Sequence, residues 1–151
     1  MRYGWNLEPE SWKLLAALLD GLHWNSVPFN ELHKSSVPNE SGVYLISSEP
    51  PFLKGVPFDK FYTVLYAGLS STSIQSRFIK HCKNPDEGVL KAKKCYEYRT
   101  SLFRFHFAKS SPASVAHIES RLIDCFGPPC NKQAGKSTVI KAVLMDGKPA
   151  G

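Results

Sequence analysis

The chain has 151 residues, 42% apolar and 21% charged, which suits one globular domain with a short extension and excludes a disordered chain. Its net charge of +6 is unevenly placed: residues 1–75 carry 5 basic and 7 acidic residues, residues 76–151 carry 14 and 6. That asymmetry points to a polyanionic partner, nucleic acid first among them; the bland alternative is a solvated basic face with no ligand. The longest aliphatic run, Leu14 to Leu19, is too short for a membrane span, and Glu8 and Glu10 argue against a signal peptide, so the expected location is cytoplasmic. The four cysteines, Cys82, Cys95, Cys125 and Cys130, form no CxxC pair and read as free thiols. The alternative, a zinc site from His81, Cys82, Cys95 and Cys130, matches no common ligand spacing.

In chain order, residues 1–41 read as a helical extension. Trp12, Leu15, Ala16 and Leu19 recur at helical spacing, Pro9 suits the first turn and Gly21 the stop. Val43 to Ile46 is a short β-branched run, hence the first strand. Pro50, Pro51, Gly55 and Pro57 mark a loop, and Phe61 to Ala67 is the second strand. Thr72 to Cys82 reads as a helix with Thr72 and Gln75 at capping-box spacing, ended by Asn84-Pro85. Residues 87–99 are compatible with a short basic helix. Leu102 to Ala108 alternates, with Phe103, Phe105 and Phe107 on one face and Arg104 and His106 on the other, as a third strand. Ser111-Pro112 opens a helix that runs to Phe126 and stops at Gly127-Pro128-Pro129. Residues 132–151 form a C-terminal extension with one candidate strand, Val139 to Met145. The expected fold is α+β: a small, mostly antiparallel three-stranded sheet flanked by helices.

Two helices carry residues that sit oddly. At about 100° per residue, Glu119 falls near 40° from Val115, inside the apolar arc of Ile118, Leu122 and Phe126. A carboxylate in an apolar stripe is costly unless a cation or donor meets it. It therefore marks either a buried ion pair or a metal ligand or acid at the floor of a cleft. On the earlier helix, Arg77 and His81 share one flank a turn apart, beside the apolar arc of Ile74, Phe78 and Cys82.

These positions form an ordered set. Gly42-Val43-Tyr44, then Tyr66-Ala67-Gly68, then Arg77 and His81, then Glu119, then Asn131 after Pro128-Pro129-Cys130 resemble the signature of the GIY-YIG nuclease superfamily. The resemblance spans residues 42–131. Ala67 stands where the signature has isoleucine, and the two tyrosines lie 22 residues apart, farther than in most of the family. The extra residues, roughly 48–59, read as a hairpin insertion in the style of the family's restriction-endonuclease branch.

The resemblance implies a metal-dependent endonuclease that hydrolyses phosphodiester bonds, with double-stranded DNA as substrate. It implies Mg²⁺ or Mn²⁺ held by Glu119, Tyr44 as general base, Tyr66 orienting water or phosphate, and Arg77 stabilising the transition state, with His81 or Lys80 taking the phenolic proton. It gives Asn131 a scaffolding role and Gly42 and Gly68 a role in backbone shape. Lys80, Lys83, Lys91, Lys93, Lys94 and Lys132 are the expected phosphate contacts, sequence-blind and salt-sensitive. A restriction-type role would call for a homodimer, since two strands need two symmetric sites. The rival is a non-catalytic basic nucleic-acid-binding module of the same fold. His117-Ile-Glu119 lacks the second cysteine of a zinc deaminase, because position 133 is Gln. Gly135-Lys136-Ser137 lacks the first glycine of a phosphate loop.

Overall fold

A computed structural model of the chain describes residues 5–48, 63–95 and 103–131. The elements run α1 (Pro9–Leu19), β1 (Trp24–Pro28), a short 3-10 helix (Glu31–Ser36), β2 (Gly42–Ser48), β3 (Thr63–Ser70), α2 (Ile74–Lys83), α3 (Glu87–Cys95), β4 (Phe103–Lys109) and α4 (Val115–Phe126). The α+β class stands, but among the described residues the sheet has four strands rather than three, in the order β1-β4-β2-β3 and antiparallel throughout. The fourth strand, β1, comes from the segment that reads as a helical extension. It is an edge strand with one buried residue, Val27, and it ends in Pro28. An edge tolerates proline and needs no clean alternation, so the sequence carries little trace of it.

Other boundaries shift for local reasons. The cap of α2 is Ser73 rather than Thr72: its hydroxyl accepts from the Ser76 amide at 3.0 Å, while Gln75 reaches the carbonyl of Lys34. Helix α4 begins at Val115 rather than at Ser111. The Ser111 hydroxyl donates to the Ser114 hydroxyl, and the Ser114 amide donates to the Ser111 carbonyl, which makes a separate turn of residues 111–114. Gly127 ends α4 at φ +52°, with its amide on the carbonyl of Ile123 at 2.9 Å. Of the insertion expected at roughly 48–59, Ser48 is the last residue of β2; the rest of it, the candidate strand Val139 to Met145 and Lys132 lie outside the described residues.

The pleat divides the core between two faces. Phe103, Phe105 and Phe107 of β4 join Tyr44, Ile46, Leu65, Ile74 and Phe78 on one face, under α2 and α3. Val43, Ala67 and Ala108 join Leu15, Val115, Ile118 and Leu122 on the other, under α1 and α4. A register shift between Ile46 and Ser47 inserts an extra residue in β3, so Leu65 and Tyr66 both pack on the Tyr44 side. Asn6 ties the N-terminal segment to α4. Its amide nitrogen donates to the Cys125 carbonyl at 2.8 Å, and its own carbonyl accepts from the Trp12 indole. Trp5, Trp12 and Phe126 pack edge-to-face around that junction. No helix among the described residues is long and apolar enough to cross a membrane.

Gly42 shows how closely the sheet and α2 approach. A Cβ there would run into the carbonyl oxygen of Ala108 and lie 2.5 Å from Cδ1 of Ile74. Gly42→Ala should therefore destabilise the fold by about 1–3 kcal/mol, seen as a lower urea midpoint with an unchanged denaturant slope.

Candidate active site

Tyr44 is on the central strand β2 and is 2% exposed. Its register partner on β3 is Gly68. A Cβ on Gly68 would overlap Cζ and Oη of Tyr44 and come within 2.8 Å of Cε1, so glycine is what lets the phenol lie across the neighbouring strand. The Tyr44 ring stacks on Phe105 at 4.9 Å and on Tyr66 at 6.3 Å between centroids. Its hydroxyl lies 2.8 Å from Nε2 of His81, which α2 holds fully buried. The His81 ring is edge-on to Tyr66 at 5.8 Å. The other ring nitrogen, Nδ1, is buried with no hydrogen-bond partner among the described residues.

Burial sets the protonation of this group. It raises the Tyr44 phenol well above its usual 10, with a further push from Tyr66, and it raises Tyr66 to about 12. It lowers His81 to about 4. At neutral pH tyrosine and histidine are both uncharged and share one hydrogen bond. Arg77 lowers both tyrosines, while Asp86 and Glu119 raise them. Arg77, Asp86 and Glu119 therefore act on one neighbourhood, although α4 packs on the opposite sheet face from α2. The edge strand between them is thin at that point, where it carries Ala67 and Gly68.

The two carboxylates are held differently. Asp86 takes the Lys80 ammonium at 2.7 Å and an Arg77 nitrogen at 3.7 Å, and Lys80 holds its carboxyl below the usual range. Glu119 is half-buried and has no ion pair or hydrogen bond among the described residues. Burial raises its carboxyl, and Arg77 opposes that only in part. An under-compensated oxygen ligand of this kind suits a hard divalent cation, which takes one carboxylate and fills its other positions with water. No three His, Cys, Asp or Glu side chains converge among the described residues.

Asn131 clamps the sheet edge beside the site. Its Oδ1 accepts from the Ala67 amide and its Nδ2 donates to the Ala67 carbonyl, both at 2.8 Å. The Cys130 amide donates to the Leu65 carbonyl at 3.0 Å, so residues 130 and 131 close the free edge of β3. Gly88 at the start of α3 allows this. A Cβ there would meet the Cys130 carbonyl at 2.5 Å and Cε1 of Tyr66 at 2.8 Å. Asp86 and Gly88 have no counterpart in the sequence reading; their signal there is only a turn after Asn84-Pro85.

The lysines divide. Lys80 and Lys83 are exposed and paired with Asp86 and Glu31, and Lys91 and Lys94 are exposed with no partner among the described residues. Lys93 is committed elsewhere: its ammonium donates to the carbonyls of His81 and Cys82 at the end of α2 and lies 5.2 Å from the centre of the Phe29 ring. No disulfide forms among the described residues, and burial raises the Cys82 thiol to about 11. The chain matches no family profile, no curated protein and no solved structure.

Two outcomes follow from this geometry. Gly68→Ala should displace the Tyr44 ring, break its contact with His81 and lower the urea midpoint. A crystal structure with the 2.8 Å contact intact would contradict this. His81 and His106 are both lowered to about 4 by burial, against 6.5 for the free side chain. Between those values the unfolded chain binds protons that the folded chain does not. Stability should be fully present above pH 6.5 and fall towards pH 4, by about 1.4 kcal/mol per pH unit for each histidine. Glu119 works in the opposite sense, because its raised carboxyl takes up a proton on folding. His106→Gln should halve the slope between pH 5 and 6, measured by urea unfolding.

Proposed function

We propose that the site hydrolyses phosphodiester bonds in nucleic acid, with double-stranded DNA as substrate, as a GIY-YIG-type endonuclease. What carries the reading is the buried Tyr44–His81 pair, 2.8 Å apart, next to a forked cation, Arg77, and a half-buried carboxylate, Glu119, that has no ion pair among the described residues and that Arg77 compensates only in part. A general base needs a hydrogen-bonded route for the proton it takes up. Here the attacking water gives its proton to the Tyr44 oxygen while Tyr44 passes its own to Nε2 of His81, so no free phenolate forms. A free phenolate would be costly: even at a pKa of about 10 it costs roughly 3–4 kcal/mol near pH 7.5, and burial adds to that.

Glu119 would hold one Mg²⁺ or Mn²⁺, which when bound supplies a Lewis acid for the phosphate and its leaving oxygen. Arg77 offers two donors to the non-bridging oxygens and at the same time lowers the tyrosines. Tyr66, about two pH units above an ordinary phenol, stays a neutral donor and orients water or phosphate. Asn131 fixes the strand that carries Tyr66 through Ala67. Lys91 and Lys94 add exposed positive charge for the backbone. Cutting both strands at one place would call for a homodimer.

Plasmid nicking tests the proposal. Cleavage should require Mg²⁺ or Mn²⁺ and stop with EDTA and with Glu119→Ala. Tyr44→Phe should lower the rate by roughly 10²–10⁴-fold. Tight DNA binding without nicking under any divalent metal would favour a non-catalytic binding module, and neither binding nor nicking would redirect the reading to structured RNA. Stability supplies an independent check. In EDTA at pH 7, Glu119→Gln should leave the urea midpoint unchanged or raise it, because the charged carboxylate costs the folded state. A fall would instead mark Glu119 as one half of a structural ion pair.

A further inference from the structure

Asp86 immediately precedes α3, where its carbonyl accepts from the Leu90 amide, and its side chain lies against α2. There it meets two cations spaced three residues apart on that helix. One carboxylate oxygen lies 2.7 Å from Nζ of Lys80 and the other 3.7 Å from Nη1 of Arg77. The contact to Lys80 is a full charged hydrogen bond; that to Arg77 is a loose ion pair through one nitrogen, and among the described residues the guanidinium fork has no closer partner. The three side chains are 37–47% exposed, so water and a solute anion reach all of them.

A carboxylate that bridges an arginine and a lysine presents two oxygens where a phosphate would present its non-bridging pair. We infer that Asp86 occupies the phosphate-binding position of Arg77 and Lys80 in the free protein, and that a substrate phosphate must displace it. Asp86 is thus a positioning residue: it parks both cations beside the site and sets a threshold for the phosphate that takes its place. Exposed pairs of this kind are weak, so displacement is easy for a polyanion that brings several phosphates at once. The inference rests on the nucleic-acid reading of the site and deepens it.

The test is the affinity of a short DNA duplex in EDTA, followed by fluorescence anisotropy. Asp86→Asn keeps the side-chain shape and should tighten binding by about threefold to fivefold, the range of an exposed ion pair. Removing any negative charge strengthens binding to DNA, so Glu31→Gln serves as the control. Glu31 also pairs with lysines, Lys83 at 3.1 Å and Lys34 at 3.8 Å, away from Arg77. The gain from Asp86→Asn should exceed that from Glu31→Gln. It should also vanish when Lys80→Gln and Arg77→Gln are present, while the Glu31→Gln gain persists in that background. Equal gains, or an Asp86→Asn gain that survives loss of both cations, would overturn the displacement while leaving nucleic-acid binding intact. No measurable binding by any of these chains would overturn the nucleic-acid reading and the inference with it.

Discussion

The hydrogen bond between Tyr44 and His81 depends on a side chain that is missing. Opposite Tyr44 on the edge strand stands Gly68, and the phenol occupies the volume that any other residue would fill. Phe105 supports the ring from below, Tyr66 flanks it, and α2 brings His81 down to its hydroxyl. Each neighbour is itself fixed by the core: Phe105 by the alternation of β4, His81 by the burial of Ile74 and Phe78 on the same helix. Two polar groups are thereby desolvated together, and their mutual bond is what makes that burial tolerable. Nδ1 of His81 has no partner among the described residues, so within them the arrangement keeps a polar cost that a purely structural core would avoid.

The rest of the site is assembled around one edge strand. Helices α2 and α3 cover one face of the sheet and α4 covers the other, yet charges from both sides act on the same two tyrosines. Small residues at 67 and 68 keep β3 thin there. A thin edge strand would be a weak place in the sheet, with one row of backbone groups unpaired. Asn131 answers that with a side-chain amide that pairs with Ala67 as a neighbouring strand would, and Cys130 adds a main-chain bond to Leu65. The chain leaving α4 is turned back to this edge by Gly127 in the left-handed conformation and two prolines.

The periodic signals in the sequence correspond to elements whose faces are unequally buried. The alternation of Phe103, Phe105 and Phe107 and the apolar arc of α4 are read directly, and the odd position of Glu119 on that arc corresponds to a half-buried carboxylate. What stayed hidden has little amphipathic contrast. Strand β1 buries a single valine. The bulge that puts Leu65 and Tyr66 on one side breaks the period-two rule at the point where it would have placed Tyr66. Lys93 reads as one more basic residue of a charged helix, because its role as a cap for α2 depends on how two helices meet. Asp86 is hidden for the same reason: its partners are nine and six residues away, and only the turn at Pro85 brings them together.

The two carboxylates make the electrostatic argument sharper than composition alone allows. Asp86 and Glu119 act on Tyr66 in the same direction, yet among the described residues one has a cation in contact, Lys80, and the other has none. If both served only to hold the fold, the half-buried one would be the one expected to have a protein cation against it, since desolvation costs it more. The reverse is found. The exposed carboxylate is paired, and the half-buried one depends on Arg77 acting at a distance. Arg77 also opposes the proton affinity of both tyrosines, so the same guanidinium partly offsets the charge of the carboxylate and lowers the cost of removing a proton from the phenols. A polyanion drawn to Arg77 would take part of that compensation away from Glu119 and both tyrosines. A divalent cation at Glu119 would restore it, which is why the proposed chemistry needs metal and substrate together rather than either one alone.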